Sequence, residues 1–239
     1  MSEFNDSIYR LRPWYHDFSA LGVQTDFSKL PGGPSQNRDQ MKQQARKERV
    51  IAPYITKALR ELDRAGKTLT VLDLFCADGY YGLLVQKLSP DAVLVGVDSN
   101  PEDIQRCWTM GSILRLGPVN FIQRDVYEYV EASRLSFDLI LCTGGLYHIP
   151  DPLRLLRGLH RLSNGYALIQ SAVTSKHDDP GYYETQNPWF KTWGSLFTHS
   201  RLMRWIEEAG FEILESATDQ REPPNTEGVG GSYALAKKP

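Results

Sequence analysis

The chain has 239 residues, 41% of them hydrophobic and 23% charged, enough for one well-buried core with at most a small appendage. Lys and Arg number 27 against 29 Asp and Glu, and the resulting formal charge of −2 excludes the whole-chain basic footprint of a dedicated nucleic-acid binder. The longest apolar run, AVLVGV at 92–97, is strand-sized and far short of the ~18 residues of a membrane span, so no membrane association is expected.

The first residues carry Glu3 and Asp6 without an apolar stretch, and no cleaved secretory signal is expected. Residues 1–36 mix Tyr9, Trp14, Tyr15, Phe18 and Phe27 with turn formers and end in LPGGPSQN, which predicts an irregular aromatic arm or lid ahead of a domain at 37–239. From Arg38 to Arg64, the spacing of Ile51, Tyr54, Ile55, Ala58, Leu59 and Leu62 predicts an amphipathic helix closed by Gly66. Eight Lys or Arg against four acids on it read as a solvated face, with an RNA-phosphate contact as the alternative.

Strand and helix then alternate. Strands are predicted at 68–77, 92–99, 120–126, 137–143 and 165–173, and helices at 80–88, 101–116, 127–133 and 151–162. Apolar runs alternating with helices imply a doubly wound α/β fold, a mostly parallel sheet covered on both faces. A helix at 199–209 and strands at 211–218 and 232–238, with no helix between them, complete seven strands with an antiparallel C-terminal hairpin.

Such a sheet binds its ligand beyond the carboxyl ends of the strands, beside the first one. There the sequence reads Asp73-Leu-Phe75-Cys-Ala77-Asp-Gly79-Tyr80, a small-residue turn that lets backbone N–H groups approach a ligand at a helix start. Asp98, with Ser99 after it, ends the second strand 19 residues past Gly79, placed to accept both hydroxyls of a ribose. Asp125 and Val126 follow the third strand, where a carboxylate and a backbone N–H can read an adenine edge. Cys142, Thr143 and Gly144 end the fourth over the pocket mouth, followed by Tyr147 and His148. The strand order presents these groups as an adenosine ligand needs them. Cys76, Cys107 and Cys142 form no CxxC or Cys/His cluster, so no metal is expected and the setting is expected to be cytoplasmic.

VLDLFCADGYYG, VGVDSN, RDV and FDLILCTGGLYHIPDPLRLLRGLHRLSNG, with the terminal helix and hairpin, resemble the class I S-adenosylmethionine-dependent methyltransferases from about Arg38 to the C-terminus. Where that family's first motif has its first two glycines, this chain has Phe75 and Ala77. LYHIPDPLRLL, PWYHDFSALGVQTD, NPWFKTW, WIEEAGFEILE and the SYALAKKP ending are similar to the tRNA wobble-uridine carboxymethyltransferases, which form 5-carboxymethoxyuridine. Those relatives have a longer N-terminal region that helps to hold tRNA. They also hold the extra carboxylate of carboxy-S-adenosylmethionine with cations whose positions carry His16 and Gly231 here. The resemblance therefore implies S-adenosylmethionine as donor, with S-adenosylhomocysteine as product. An ordinary methyl group is the one expected to move.

On the acceptor side the expectation is the arm, with Trp14, Tyr15 and His16, and an insertion at 175–198 carrying Tyr182, Tyr183, Trp189 and Phe190, rings that can stack on a planar acceptor. His148 is the candidate base and Tyr147 the residue that orients the acceptor, His148 as a helix cap being the plainer alternative. A planar small molecule is the expected acceptor. A tRNA base, with tRNA as partner, is the alternative, and a cofactor-binding scaffold without catalysis is a further one.

Overall fold

The computed structural model describes residues 3–27, 38–63, 67–185, 194–220 and 228–239. Apolar runs of Val, Leu and Ile form the strands β1 (Thr70–Leu74), β2 (Val93–Asp98), β3 (Val119–Gln123), β4 (Phe137–Thr143) and β5 (Ser163–Thr174). They lie parallel, and β9 (Val229–Lys237) pairs antiparallel with both β5 and β8 (Glu212–Gln220), giving the order β3-β2-β1-β4-β5-β9-β8. This is the doubly wound sheet with an antiparallel edge hairpin that the alternating pattern implies.

Successive residues of each strand face opposite sides, so two cores form. Val71, Leu94, Leu139, Leu141 and Leu168 meet helices α2 (Arg38–Asp63), α3 (Tyr80–Leu88) and α4 (Pro101–Leu114) on one face. Leu72, Leu74, Ile140, Cys142 and Ile169 meet α5 (Val126–Ala132), α6 (Pro152–Leu162) and α7 (His199–Glu208) on the other. Helix α2 continues through Pro53, its apolar stripe of Ile51, Ile55, Ala58 and Leu59 fully inside. The Gly66 expected to close it lies outside the described residues.

The arm is more ordered than its composition suggested. It contains helix α1 (Glu3–Arg10) and a 3-10 turn at Phe18–Leu21, capped by the Asp17 carboxylate and by Gly22 at φ 99°. Its rings complete the first core: Trp14 and Phe18 are buried, and the Trp14 indole N–H donates to the Ile8 carbonyl at 2.9 Å. The Arg106 Nε donates to the Leu11 carbonyl at 2.8 Å and ties the arm to α4. In the insertion, Tyr183–Thr185 (β6) and Ser195–Phe197 (β7) form a short antiparallel pair.

Candidate functional site

Strand β1 is central, and the chain leaves it toward β2 on one side and β4 on the other. The crevice beyond these carboxyl ends holds a cavity of about 360 Å³.

At the end of β1 the backbone turns through left-handed geometry three times, at Phe75 (φ 58°), Ala77 (φ 49°) and Gly79 (φ 83°). Phe75 and Ala77 thus keep the glycine conformation without being glycine, at a cost of roughly 1–2 kcal/mol each. The Phe75 ring gains a compensating contact over Gly145, where an added Cβ would lie 1.9 Å from the ring and force it to move. Asp73 lies beneath the turn, buried, its Oδ2 accepting the Gly82 N–H at 3.0 Å while Oδ1 has no partner. Burial pushes its pKa up to about 8, against the opposing pull of the Gly82 hydrogen bond.

Asp98 reaches from β2 to this turn: its two oxygens accept the Ala77 and Asn100 N–H groups at 3.1 and 3.0 Å. Each oxygen keeps a second lone pair, which suits two ribose hydroxyls. Asp103 borders the same cavity, raised to about 6 by burial and then by Asp98, with Arg106 opposing. Asp125 caps α5, one oxygen accepting from Tyr127 N (2.9 Å) and Glu128 N (3.1 Å). Its other oxygen and the first-turn N–H of Val126 remain for an adenine edge. Thr143 and Gly144 close the floor at β4. The residues present therefore fit an adenosine-bearing cofactor.

Eight of the twelve expected cofactor residues line the cavity: Phe75, Ala77, Asp98, Ser99, Asp125, Val126, Thr143 and Gly144. The other four do not. Asp73 supports the turn, Gly79 starts α3, Cys142 belongs to the second core, and Tyr80 is buried with its hydroxyl on Glu48. Tyr147 and His148 do line it, their rings 4.0 Å apart. The His148 pKa is lowered by desolvation and then by Lys47, with Asp98 opposing, which favours the neutral ring.

The acceptor side departs more from expectation. Trp14 is a core residue. Tyr183 donates to the Pro150 carbonyl and packs edge-on to Trp205, while Tyr182 packs edge-on to His177, and neither tyrosine borders the cavity. Trp189 and Phe190 lie outside the described residues. Tyr15 and His16 do line the cavity, and His16 is neither a surface nor a capping residue. Its Nδ1 sits 2.7 Å from the fully buried Asp78, which also accepts the Tyr15 and His16 backbone N–H groups; Nε2 has no partner. The ring stacks on Tyr80 at 4.6 Å. Gln44 and Lys47 from α2, Tyr81 from α3 and Gln170 from β5 also border the cavity and had no place in the sequence expectation. Only Gln170 left a signal, a lone polar residue inside the apolar run GYALIQSAV.

A methyltransferase-domain family matches residues 65–210. The chain belongs to this family, the S-adenosylmethionine-dependent methyltransferases. It is 28% identical over 151 residues to the tRNA U34 carboxymethyltransferase of Wolinella succinogenes, covering 61% of this chain and 52% of that one. With the Campylobacter jejuni protein of the same name the identity is 26% over 172 residues, 69% and 58% of the two chains. The chain thus spans little more than half the length of these curated relatives. Among solved structures, the N-terminal domain of EvdMO1 with S-adenosylhomocysteine bound superposes with a TM-score of 0.66 at 18% identity, over 100% of this chain and 98% of that one. Magnesium protoporphyrin IX methyltransferase from Synechocystis, with bound S-adenosylmethionine, gives 0.61 at 15%, over 98% of each. Both share the methyltransferase fold. Among the described residues no helix is long and apolar enough to cross a membrane, and no group of three or more His, Cys, Asp or Glu is placed to hold a metal.

Proposed function

We propose that the chain transfers the methyl group of S-adenosylmethionine to an oxygen or nitrogen of a planar small-molecule acceptor. When bound, the donor supplies a methyl group on a positively charged sulfur, so the protein has to align, desolvate and hold rather than generate an electrophile. Asp98 would hold the ribose, Asp125 and Val126 the adenine, and Phe75, Ala77, Thr143 and Gly144 the surfaces in contact with the donor. The arm, fixed through His16 and Asp78, covers the turn and excludes water. His148, neutral through burial and Lys47, is the group at the mouth able to take a proton from an acceptor, and Tyr147 lies against it.

The observation that favours a small acceptor is the fate of the α2 cations. Arg46 pairs with Asp219 at 3.0 Å, Lys57 pairs with Glu215, and Lys47 lines the cavity. The excess of positive charge read from the sequence is thus partly neutralised by β8 instead of being presented as a phosphate-binding stripe. An ordinary methyl donor is favoured by Gly231, whose N–H donates to Asp219 at 2.8 Å and where a Cβ would lie 2.5 Å from that carboxylate. A side chain at this position would have to displace that carboxylate, and the glycine itself supplies no cation.

Incubation of cell-extract fractions with methyl-labelled S-adenosylmethionine, followed by mass identification of the labelled product, tests this reading. A labelled small molecule is expected; label confined to RNA would overturn it. The likeness to tRNA U34 carboxymethyltransferases favours a second reading, a wobble uridine in tRNA. Under that reading, binding to bulk tRNA weakens steeply with added salt, whereas the first expects no measurable affinity even at low salt.

A further inference from the structure

The cavity is lined at its β5 end by residues that the donor reading does not use. Along the order β3-β2-β1-β4-β5, the adenine groups stand at β3, the ribose group at β2, and the turn and floor at β1 and β4. Beyond them lie Gln170 of β5, Tyr81 of α3 and Lys47 of α2. Gln170 and Tyr81 are both buried, and Gln170 Oε1 and the Tyr81 hydroxyl have no hydrogen-bond partner. Orphaned polar atoms on two residues that line one cavity are costly unless a ligand satisfies them. A Cβ added to Gly144 would stand 3.7 Å from the Lys47 Nζ and 3.8 Å from Gln170 Oε1, so cation and amide border the same space, kept open by the absence of a side chain.

We propose that this β5 end is the acceptor site and that it takes a planar weak acid bound as its anion, with the oxyanion beside Lys47 and its polar edge read by the Gln170 amide and the Tyr81 hydroxyl. The proposal rests on the donor reading above and names the acceptor class for the same cavity. It also changes what the chemistry asks of the protein. An acceptor oxygen that is already anionic forms its bond to carbon with its own lone pair, the displaced pair stays on the donor's sulfur, and no proton has to leave. The positive field at this end agrees with it, since Lys47 depresses the proton affinity of His148 across the mouth.

The test uses 4-nitrophenolate as probe and nitrobenzene as its uncharged counterpart, each titrated into the full chain saturated with S-adenosylhomocysteine. Wild type is expected to prefer the anion by about tenfold or more, as a charge-assisted contact provides. Lys47→Gln is expected to abolish that preference while its S-adenosylhomocysteine affinity, measured on the same sample, stays at the wild-type value and confirms a folded chain. Gln170→Leu is expected to weaken both probes. Equal affinity of wild type for the two probes would overturn the proposal, as would a preference surviving Lys47→Gln. So would a matching loss of S-adenosylhomocysteine affinity in Lys47→Gln, because Lys47 would then hold the donor's own carboxylate. Failure of wild type to bind S-adenosylhomocysteine at all would overturn the donor reading together with this one, whereas the other outcomes remove this one alone.

Discussion

The two ends of the cavity are built in different ways. The end proposed for adenosine comes from residues at the tips of consecutive strands, Asp98 after β2 and Asp125 after β3, and is shaped by backbone: a triple left-handed turn and a helix start. The β5 end is assembled from Lys47, Tyr81, Gln170 and the arm, parts distant in sequence and joined by packing and by buried hydrogen bonds such as His16 to Asp78. The first end is fixed by local chain geometry, the second by tertiary contact. Substitutions at the first should therefore act on the donor, and those at the second on closure and on the acceptor.

The largest effect is expected where the second end is tied to the first. His16→Ala leaves the buried Asp78 carboxylate without its side-chain partner, and should cost about 3–5 kcal/mol of stability by denaturant unfolding. A change under ~1 kcal/mol would mean that the arm is not held by this pair. Gly145→Ala drives a methyl into the Phe75 ring, so a loss of roughly 1–3 kcal/mol is expected together with weakened S-adenosylhomocysteine binding. Phe75→Gly in the same chain should restore part of both, because the clash and the left-handed strain go together.

A third effect is spread over pH instead of falling on one contact. Asp73 has its pKa raised from 3.8 to about 8 in the folded chain, so unfolding releases its proton throughout the interval between those values. This group's contribution is constant below the lower value, becomes steadily less favourable as pH rises to about 8, and is constant again above it. The slope it adds is at most ~1.4 kcal/mol per pH unit. Asp73→Asn keeps an acceptor for the Gly82 N–H and should remove that slope, raising the melting temperature near pH 8 more than at acid pH. An unchanged pH profile would show that Asp73 does not titrate in this range.

The fold was legible because period and turn chemistry repeat at every strand. β4 carries the unbroken apolar run Leu139–Cys142 and is buried along its whole length, and Asn100 with Pro101 starts α4 as capping rules require. The arm was read less well: its rings were visible, but that Trp14 and Phe18 complete the α2 face of the core follows from long-range packing that no local spacing encodes. At the site, the strand-end residues Asp98, Asp125 and Thr143 line the cavity, a position that follows from topology. Tyr183 was misplaced because aromatic density does not say which way a ring turns, and it turns toward Trp205. Lys47 was one basic residue among many on α2, and only the folded chain places it at the cavity while Arg46 and Lys57 reach β8.

The most direct measurement is calorimetric titration of S-adenosylhomocysteine into wild type and Asp98→Ala. Loss of a carboxylate accepting two ribose hydroxyls should weaken binding by about 1.5–3 kcal/mol, roughly ten- to a hundred-fold, with the chain still folded. Equal affinities for the two proteins, or no binding by wild type, would contradict the placement of the donor over the ends of β2 and β3.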